Sequence, residues 1–255
     1  MDEVRAEVEG FDRKAREFYA LVEDVMATAA SVAGPVLVSP ALVEAVREGV
    51  RRVQEAHRQA VEEMQELIAR AGDPGQLRHT ADGWSGIGAA LGVTAGEVGL
   101  DRMQANLEWQ GRAAEAYKAL VPAQAGFVGT VREHCDAVAT SLHTYADQLD
   151  SFWTAIKAAA VVMAAGLVTA MVTAATAVGI PAACVAILTA ITAGATMVVT
   201  AVVQVEQLST RIATEQRGME EAMFDTEAGW PVPNTDAMAD ASAADGDGSD
   251  WRPNR

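Results

Sequence analysis

The stretch AAAVVMAAGLVTAMVTAATAVGIPAACVAILTAITAGATMVVTAVV, residues 158–203, contains no charged side chain. It is long enough for two helices of about 20 residues each, the length that crosses the hydrocarbon core of a bilayer. The VGIP sequence at 178–181 separates the two arms, because Gly179 and Pro181 both disfavour an uninterrupted helix. We therefore predict a hydrophobic helical hairpin over 156–205 and interpret it as a transmembrane hairpin.

Threonines fall on one face of each arm of this hairpin. In lipid, small residues and hydroxyl groups on one stripe allow close contact and hydrogen bonds between helices. The same stripes could line a polar seam, so a hairpin buried inside a soluble homo-oligomer is the alternative to membrane insertion. The predicted hairpin site comprises Thr169, Thr173, Thr176, Gly179, Pro181, Thr189, Thr192, Thr196 and Thr200.

A long amphipathic helix precedes the hairpin. From Tyr117 to Ile156 the apolar residues alternate in steps of four and three, which places them on one helical face. Pro122 falls inside this pattern, and the unchanged register on both sides predicts a kink rather than a break. The pattern over 75–108 is looser, and Trp84 occupies a heptad position in it, which predicts another helix with Trp84 in its core.

The stretch LEWQGRAAEAY, residues 107–117, lies between these two helices. Gly111 tolerates the backbone angles of a sharp reversal, and the rigid ring of Trp109 can close the end of the facing helix. The alanines that follow let the second helix start close to the first. We therefore predict a helical hairpin over 73–155 with its turn at 109–111.

The residues Trp109, Gly111, Ala113, Ala114 and Tyr117 together resemble the WXG family, the helical hairpins exported by type VII (ESX-like) secretion systems of actinobacteria and firmicutes. The resemblance implies an exported or membrane-bound protein and a partner, either a small WXG-type protein or a secretion chaperone. An unrelated helical hairpin with a tryptophan at its corner is the alternative interpretation.

The sequence departs from the family pattern at the export signal. The family usually carries Tyr-x-x-x-Asp/Glu after the second helix, whereas Tyr145 is followed at the fourth position by Leu149. Export would then depend on a partner that carries the signal. Trp109, Gly111, Tyr117 and Tyr145 are the candidate residues for the turn and for partner recognition.

Residues 1–72 predict a further helical hairpin. Apolar residues recur in steps of four and three over 3–33 and again over about 40–71, and the GPVLVSP sequence between them contains Pro35 as a stop and Ser39 as an N-cap. Hairpins of the WXG family commonly pair into four-helix bundles. The resemblance therefore implies that this hairpin lies beside the hairpin of 73–155, in an all-α, elongated antiparallel bundle.

The C-terminal part changes character. Residues 206–224 predict a helical extension of the hydrophobic hairpin. Residues 225–255 are acidic, rich in Pro, Gly, Ser and Ala, and lack an apolar period, which predicts a disordered tail.

The composition excludes several classes of function. A formal net charge of -16 repels phosphate backbones, so we expect no nucleic-acid partner. The acidic, amphipathic N-terminus predicts no cleavable signal peptide. Cys135 and Cys184 have neither disulfide-framework nor zinc-site spacing, and no catalytic motif occurs. His57 lies at a core heptad position, where a partly buried histidine with satisfied hydrogen bonds is expected.

These observations predict a protein without enzymatic activity, cofactor or metal. Our leading hypothesis is a type VII secretion-associated protein that engages membrane lipid through its hydrophobic hairpin after export. The second hypothesis is an integral membrane accessory or scaffold protein that stays in the producing cell and uses its helical stalk as a docking surface.

Overall fold

The structure is a computed structural model that describes residues 2–37, 39–70, 72–99, 102, 109–110, 112–225, 229–231 and 252–253. Nearly all of these residues are helical: α1 is Asp2–Leu37, α2 Pro40–Arg70, α3 Pro74–Glu97, α4 Arg112–Thr173 and α5 Ile180–Asp225. Two strands of two residues each, β1 (Trp109–Gln110) and β2 (Arg252–Pro253), pair antiparallel. The predicted all-α fold is confirmed.

The first two helices lie close to their predicted bounds. Helix α1 continues through Gly34 and Pro35 to Leu37, beyond its predicted end. Pro35 lies in the last turn, so the hydrogen bond that it cannot donate and the crowding of its ring affect only the end of the helix. Helix α2 begins as predicted. The Leu42 amide donates to Ser39 Oγ at 3.2 Å, so Ser39 is the N-cap of α2.

The chain divides into two compact units. One, here called the hairpin unit, comprises Met1–Pro74 and Asp147–Leu208; the other, here called the corner unit, comprises Gly75–Ala146 and Ser209–Arg255. Helices α1 and α2 therefore group with the hydrophobic hairpin in one unit. Their place beside the hairpin of 73–155 stays a prediction.

The core of the hairpin unit confirms the predicted apolar faces of α1 and α2. Phe11 and Phe18 of α1 and Val53 of α2 are fully buried. The other buried residues are Val4, Val8, Ala15 and Val22 in α1, and Val46, His57, Ala60, Met64 and Ile68 in α2. They keep the four-three steps except at the end of α2, where Ile68 rather than Leu67 is buried.

In the corner unit, α3 packs on α4 through small residues. Ala81 is fully buried, and a Cβ added to Gly88 would lie 2.7 Å from Asp136 Oδ1. The prediction that Trp84 belongs to the core is wrong, since its side chain is 37% exposed. Two helices this close leave no room for an indole ring between them. Helix α3 also ends at Glu97, before its predicted end near 108.

Helices α4 and α5 carry the hydrophobic hairpin. Helix α4 runs without a break through Pro122, as predicted. It ends at Thr173, and α5 starts at Ile180. The turn between them thus occupies 174–179 and begins slightly before the predicted VGIP break.

Most of the tail that the sequence predicts to be disordered, 225–255, lies outside the described residues. Where it is described, it contacts the corner unit. The ring of Trp230 meets that of Phe127 edge-on, with centroids 5.7 Å apart. The Gln124 side-chain amide donates to the Pro231 carbonyl at 3.2 Å. At least this segment of the tail therefore packs on α4.

Candidate membrane-active hairpin

The hydrophobic hairpin buries only one face of each arm, although its sequence is apolar all round. The buried residues recur at the helical period and form the inner face of the hairpin. They are Ala159, Ala160, Met163, Leu167, Ala170 and Ala174 on the first arm and at the turn, and Ile180, Ala183, Cys184, Ile187, Ile191, Val198 and Ala201 on the second arm. Apart from Gly194, the remaining residues of 158–203 are half-buried or exposed.

The exposed face of the hairpin is rich in valine. We call the following residues the valine face: Val161, Val162, Val168, Val172, Val178, Val185, Val199 and Val203. Their exposed fractions range from 39% at Val162 to 77% at Val172 and Val178. By length and composition, α4 and α5 are both apolar enough to cross a membrane, with mean hydropathies of 2.0 and 2.1 over their most apolar windows. Exposed apolar surface on this scale is typical of sites of membrane or protein contact.

The threonines of the hairpin lie on the exposed face, and the hydroxyls of five of them donate within their own helix. Thr169 donates to the Ala165 carbonyl at 3.0 Å, and Thr189 donates to the Val185 carbonyl at 2.9 Å. Thr192, Thr196 and Thr200 make the same bond to the residue four positions earlier. The sequence had suggested hydrogen bonds between the two arms, but these five bonds each lie within one helix. They satisfy the hydroxyl donors, so these side chains can face lipid without an unpaired donor.

The two arms contact each other through glycines instead. A Cβ added to Gly166 would lie 2.2 Å from the Cβ of Ala190. A Cβ added to Gly194 would lie 2.4 Å from Cε of Met163. Small residues that let two backbones approach are typical of helix pairs in membranes.

The turn of the hairpin depends on Gly179. A Cβ at this position would lie 1.9 Å from the Thr173 carbonyl oxygen, and the Gly179 amide donates to the Thr176 carbonyl at 2.9 Å. Pro181 is the second residue of α5, where an amide has no partner within the helix. Of the predicted hairpin residues, Gly179 and Pro181 thus have a clear geometric role in the turn.

Helices α1 and α2 pack against the hairpin. A Cβ added to Gly49 of α2 would lie 3.1 Å from Sγ and 3.2 Å from Cβ of Cys184 on the inner face. Lys157, the last charged residue before the hairpin, donates from Nζ to Glu3 Oε2 of α1 at 2.7 Å. This hydrogen bond and the charge of Lys157 lower the pKa of Glu3. The pair of α1 and α2 is here called the cover.

A group of polar side chains lies within the cover. His57 of α2 is buried, and its Nε2 lies 3.2 Å from Asp12 Oδ1 without the alignment of a hydrogen bond. The buried hydroxyl of Tyr19 also has no hydrogen-bond partner. The histidine is buried at the position that the sequence assigned to the core, but its Nε2 has no hydrogen-bond partner. Burial lowers the pKa of His57 and raises that of Tyr19.

The candidate recognition residues all belong to the corner unit. The backbone of Trp109 is extended and pairs with Pro253, whereas Gly111 lies outside the described residues. Tyr117 is half-buried on the first turns of α4. Tyr145 lines a cavity of about 280 Å³, together with Leu77, Leu142 and Ile212 among others. The predicted recognition residues thus belong to the corner unit, whereas the predicted membrane residues belong to the hairpin unit.

Sequence reasoning missed the contact between α2 and the hairpin. Gly49 lies three residues after Val46 and four before Val53, and a glycine beside an apolar face is the local signal that a neighbouring group approaches closely there. Within the described ranges, no group of three or more His, Cys, Asp or Glu side chains could hold a metal ion.

Comparison with known proteins finds no protein-family model, no curated protein and no solved structure that matches this chain.

Proposed function

We propose that this protein engages a lipid bilayer through residues 158–203, which the cover holds in the form described here. The observation that carries the proposal is the valine face. It is an uncharged exposed surface on two helices that are each long enough to span a bilayer. A hydrocarbon environment would remove this surface from water at about 25 cal/mol per Å² of apolar area.

Insertion requires the hairpin to separate from the cover. The outer surface of α2 carries exposed ion pairs, such as Arg51 with Glu48 and Arg58 with Glu62. Charged side chains cost about 2.5–3.5 kcal/mol each at the centre of a membrane helix, so α2 cannot follow the hairpin into the hydrocarbon. The inner face then exchanges its contacts with α1 and α2 for contacts with lipid.

A disulfide between the cover and the hairpin tests this separation. Disulfide-bonded cysteines have Cβ atoms about 3.5–4.5 Å apart, and a Cβ at Gly49 would lie 3.2 Å from that of Cys184. The variant Gly49→Cys, in a Cys135→Ser background, should therefore form a disulfide with Cys184 after slight relaxation. The variant is mixed with zwitterionic phosphatidylcholine vesicles in oxidised and reduced form, and its flotation with the vesicles is measured after a high-salt wash.

We expect the reduced variant and the Cys135→Ser parent to float with the vesicles, and the oxidised variant to stay in the soluble fraction. A reductant added to the oxidised variant should restore flotation. Equal flotation of the oxidised and reduced forms would contradict separation of the hairpin from the cover. Absence of the parent from the floating fraction at every pH from 7.5 to 5 would contradict the membrane function itself.

We further propose that the protein is exported by a type VII-like system before it meets its target membrane. The support is the Trp109, Gly111 and Tyr117 pattern, which resembles the WXG family. Because Tyr145 lacks the acidic residue of the export signal, a small WXG-type partner or a chaperone would supply it. Fractionation of producing cells with the export system intact and deleted tests this. Protein in the medium that disappears on deletion supports export, and protein confined to the membrane of both strains supports the retained accessory protein instead.

A further inference from the structure

We propose that His57 makes the packing of the cover on residues 158–203 sensitive to pH, so that mild acid loosens the cover. The form with the cover packed on these residues is here called the stored form, and the form without this contact the opened form. This inference rests on the proposed function and concerns the regulation of the same hairpin. It follows from where His57 lies and from which groups surround it.

The imidazole of His57 lies between α1 and α2 and is only 9% exposed. It meets the ring of Phe11 edge-on with centroids 5.1 Å apart, and that of Tyr19 with centroids 6.0 Å apart. These aromatic neighbours favour the neutral imidazole, because burial away from water disfavours its charged form. A protonated ring would have two N–H donors in this environment, and Nε2 has no hydrogen-bond acceptor in proper alignment.

The carboxylate that faces His57 is shared with an arginine, so it only partly compensates the positive charge of a protonated imidazole. Helix α1 presents Asp12 at 3.2 Å, but the Asp12 carboxylate also pairs with Arg16, whose charge opposes protonation of the histidine. Helix α5 presents Cys184, which lies close enough to Tyr19 to interact with it. Residues 158–203 of α4 and α5 contain no charged side chain, and Lys157 is engaged by Glu3.

The sign of the pH effect follows from these surroundings. Burial lowers the pKa of His57, with a further contribution from Arg16, whereas the charge of Asp12 raises it. A histidine released into water titrates near 6.5, so the opened form binds a proton at a higher pH than the stored form does. The stability of the stored form is therefore complete above about pH 6.5 and falls as the pH drops through the lowered pKa of His57.

The Cys184 thiol reports on the cover without any membrane. Its side chain is buried at 1% exposure and lies against Gly49 of α2, so a thiol reagent reaches it only when the cover moves away. In a Cys135→Ser background, the labelling rate of Cys184 by 4,4′-dithiodipyridine is measured from pH 7.5 to pH 5. Each rate is divided by that of the same chain unfolded in urea at the same pH, which removes the reagent's own pH dependence.

We expect the normalised rate to rise as the pH falls below about 6.5, by up to tenfold for each pH unit between the two pKa values of His57. The variants His57→Gln and His57→Phe should abolish the rise. Both His57 variants are made, so that one remains informative if the other fails to fold. The matched control His143→Gln changes a more exposed histidine of the corner unit and should keep the full rise.

A flat normalised rate in the Cys135→Ser protein, or an unchanged rise in both His57 variants, would overturn the inference. Neither result depends on lipid, so both leave the proposed membrane function intact. Conversely, a protein that opens in acid but fails to float with vesicles at any pH would retain the role of His57 and contradict the proposed function.

Discussion

A Cβ on Gly166 would lie 2.2 Å from the Cβ of Ala190, so the two arms of the hydrophobic hairpin meet at a point that has no room for a methyl group. Neither of these atoms can swing away, because a Cβ is fixed to its backbone. The distance between α4 and α5 in the hairpin is therefore set by glycine.

Gly166→Ala should push the two arms apart and lower the free energy of unfolding by about 1–3 kcal/mol, the usual cost of overpacking a core. Urea denaturation followed by circular dichroism measures the change. Gly126→Ala is the matched control, since it lies in the same helix with open space around its Cβ and should be neutral or stabilising by up to about 1 kcal/mol. Equal effects of the two substitutions would contradict the close contact.

Substitution of two tryptophans tests which of them belongs to the core. Trp153 is 6% exposed, whereas Trp84 is 37% exposed at the position that the heptad pattern assigns to the core. Trp153→Ala should lower the free energy of unfolding by about 3–5 kcal/mol, and Trp84→Ala should cost well under half of that because its ring fills no enclosed space. Denaturant titration of each variant gives the comparison, and a larger loss for Trp84→Ala would restore the heptad interpretation.

The error at Trp84 shows what apolar periodicity conveys and what it does not. Periodicity identifies a face when large apolar residues define it, as Phe11 and Phe18 do in α1. Along α3, the buried face is made by Ala81 and Gly88, and small residues give no signal in a pattern of hydrophobic side chains. The partner helix and its distance decide such a case, and neither is contained in the local sequence.

The hydrophobic hairpin shows the opposite limit. Its helices and its approximate turn could be predicted, because 158–203 lacks charge and contains Gly179 and Pro181. Which of its faces is buried could not be predicted, since every face is apolar. The inner face is determined by contacts across long sequence separations, such as that between Gly49 and Cys184.

The ion pair between Glu3 and Lys157 predicts a charge-swap experiment. Glu3→Lys places two ammonium groups together and should raise the labelling rate of Cys184 at neutral pH, because the N-terminus of α1 then repels α4. The double substitution Glu3→Lys with Lys157→Glu should restore the slow rate. Both side chains contact solvent, so added salt should diminish the effect of the single substitution. A double variant as open as the single one would show that the pair does not hold the cover.

A charge in the middle of the valine face separates the demands of folding from those of membrane insertion. Val168 is 46% exposed and lies near the middle of the first arm, so Val168→Lys should leave the free energy of unfolding in water nearly unchanged. At the centre of a membrane helix the same lysine costs about 2.5–3.5 kcal/mol, which corresponds to roughly a hundredfold weaker partition into phosphatidylcholine vesicles. Val93→Lys is the matched control, because Val93 is 64% exposed on α3, outside the hairpin, and should partition like the unmodified protein. If Val168→Lys and Val93→Lys float equally well, the first arm of the hairpin does not enter the hydrocarbon.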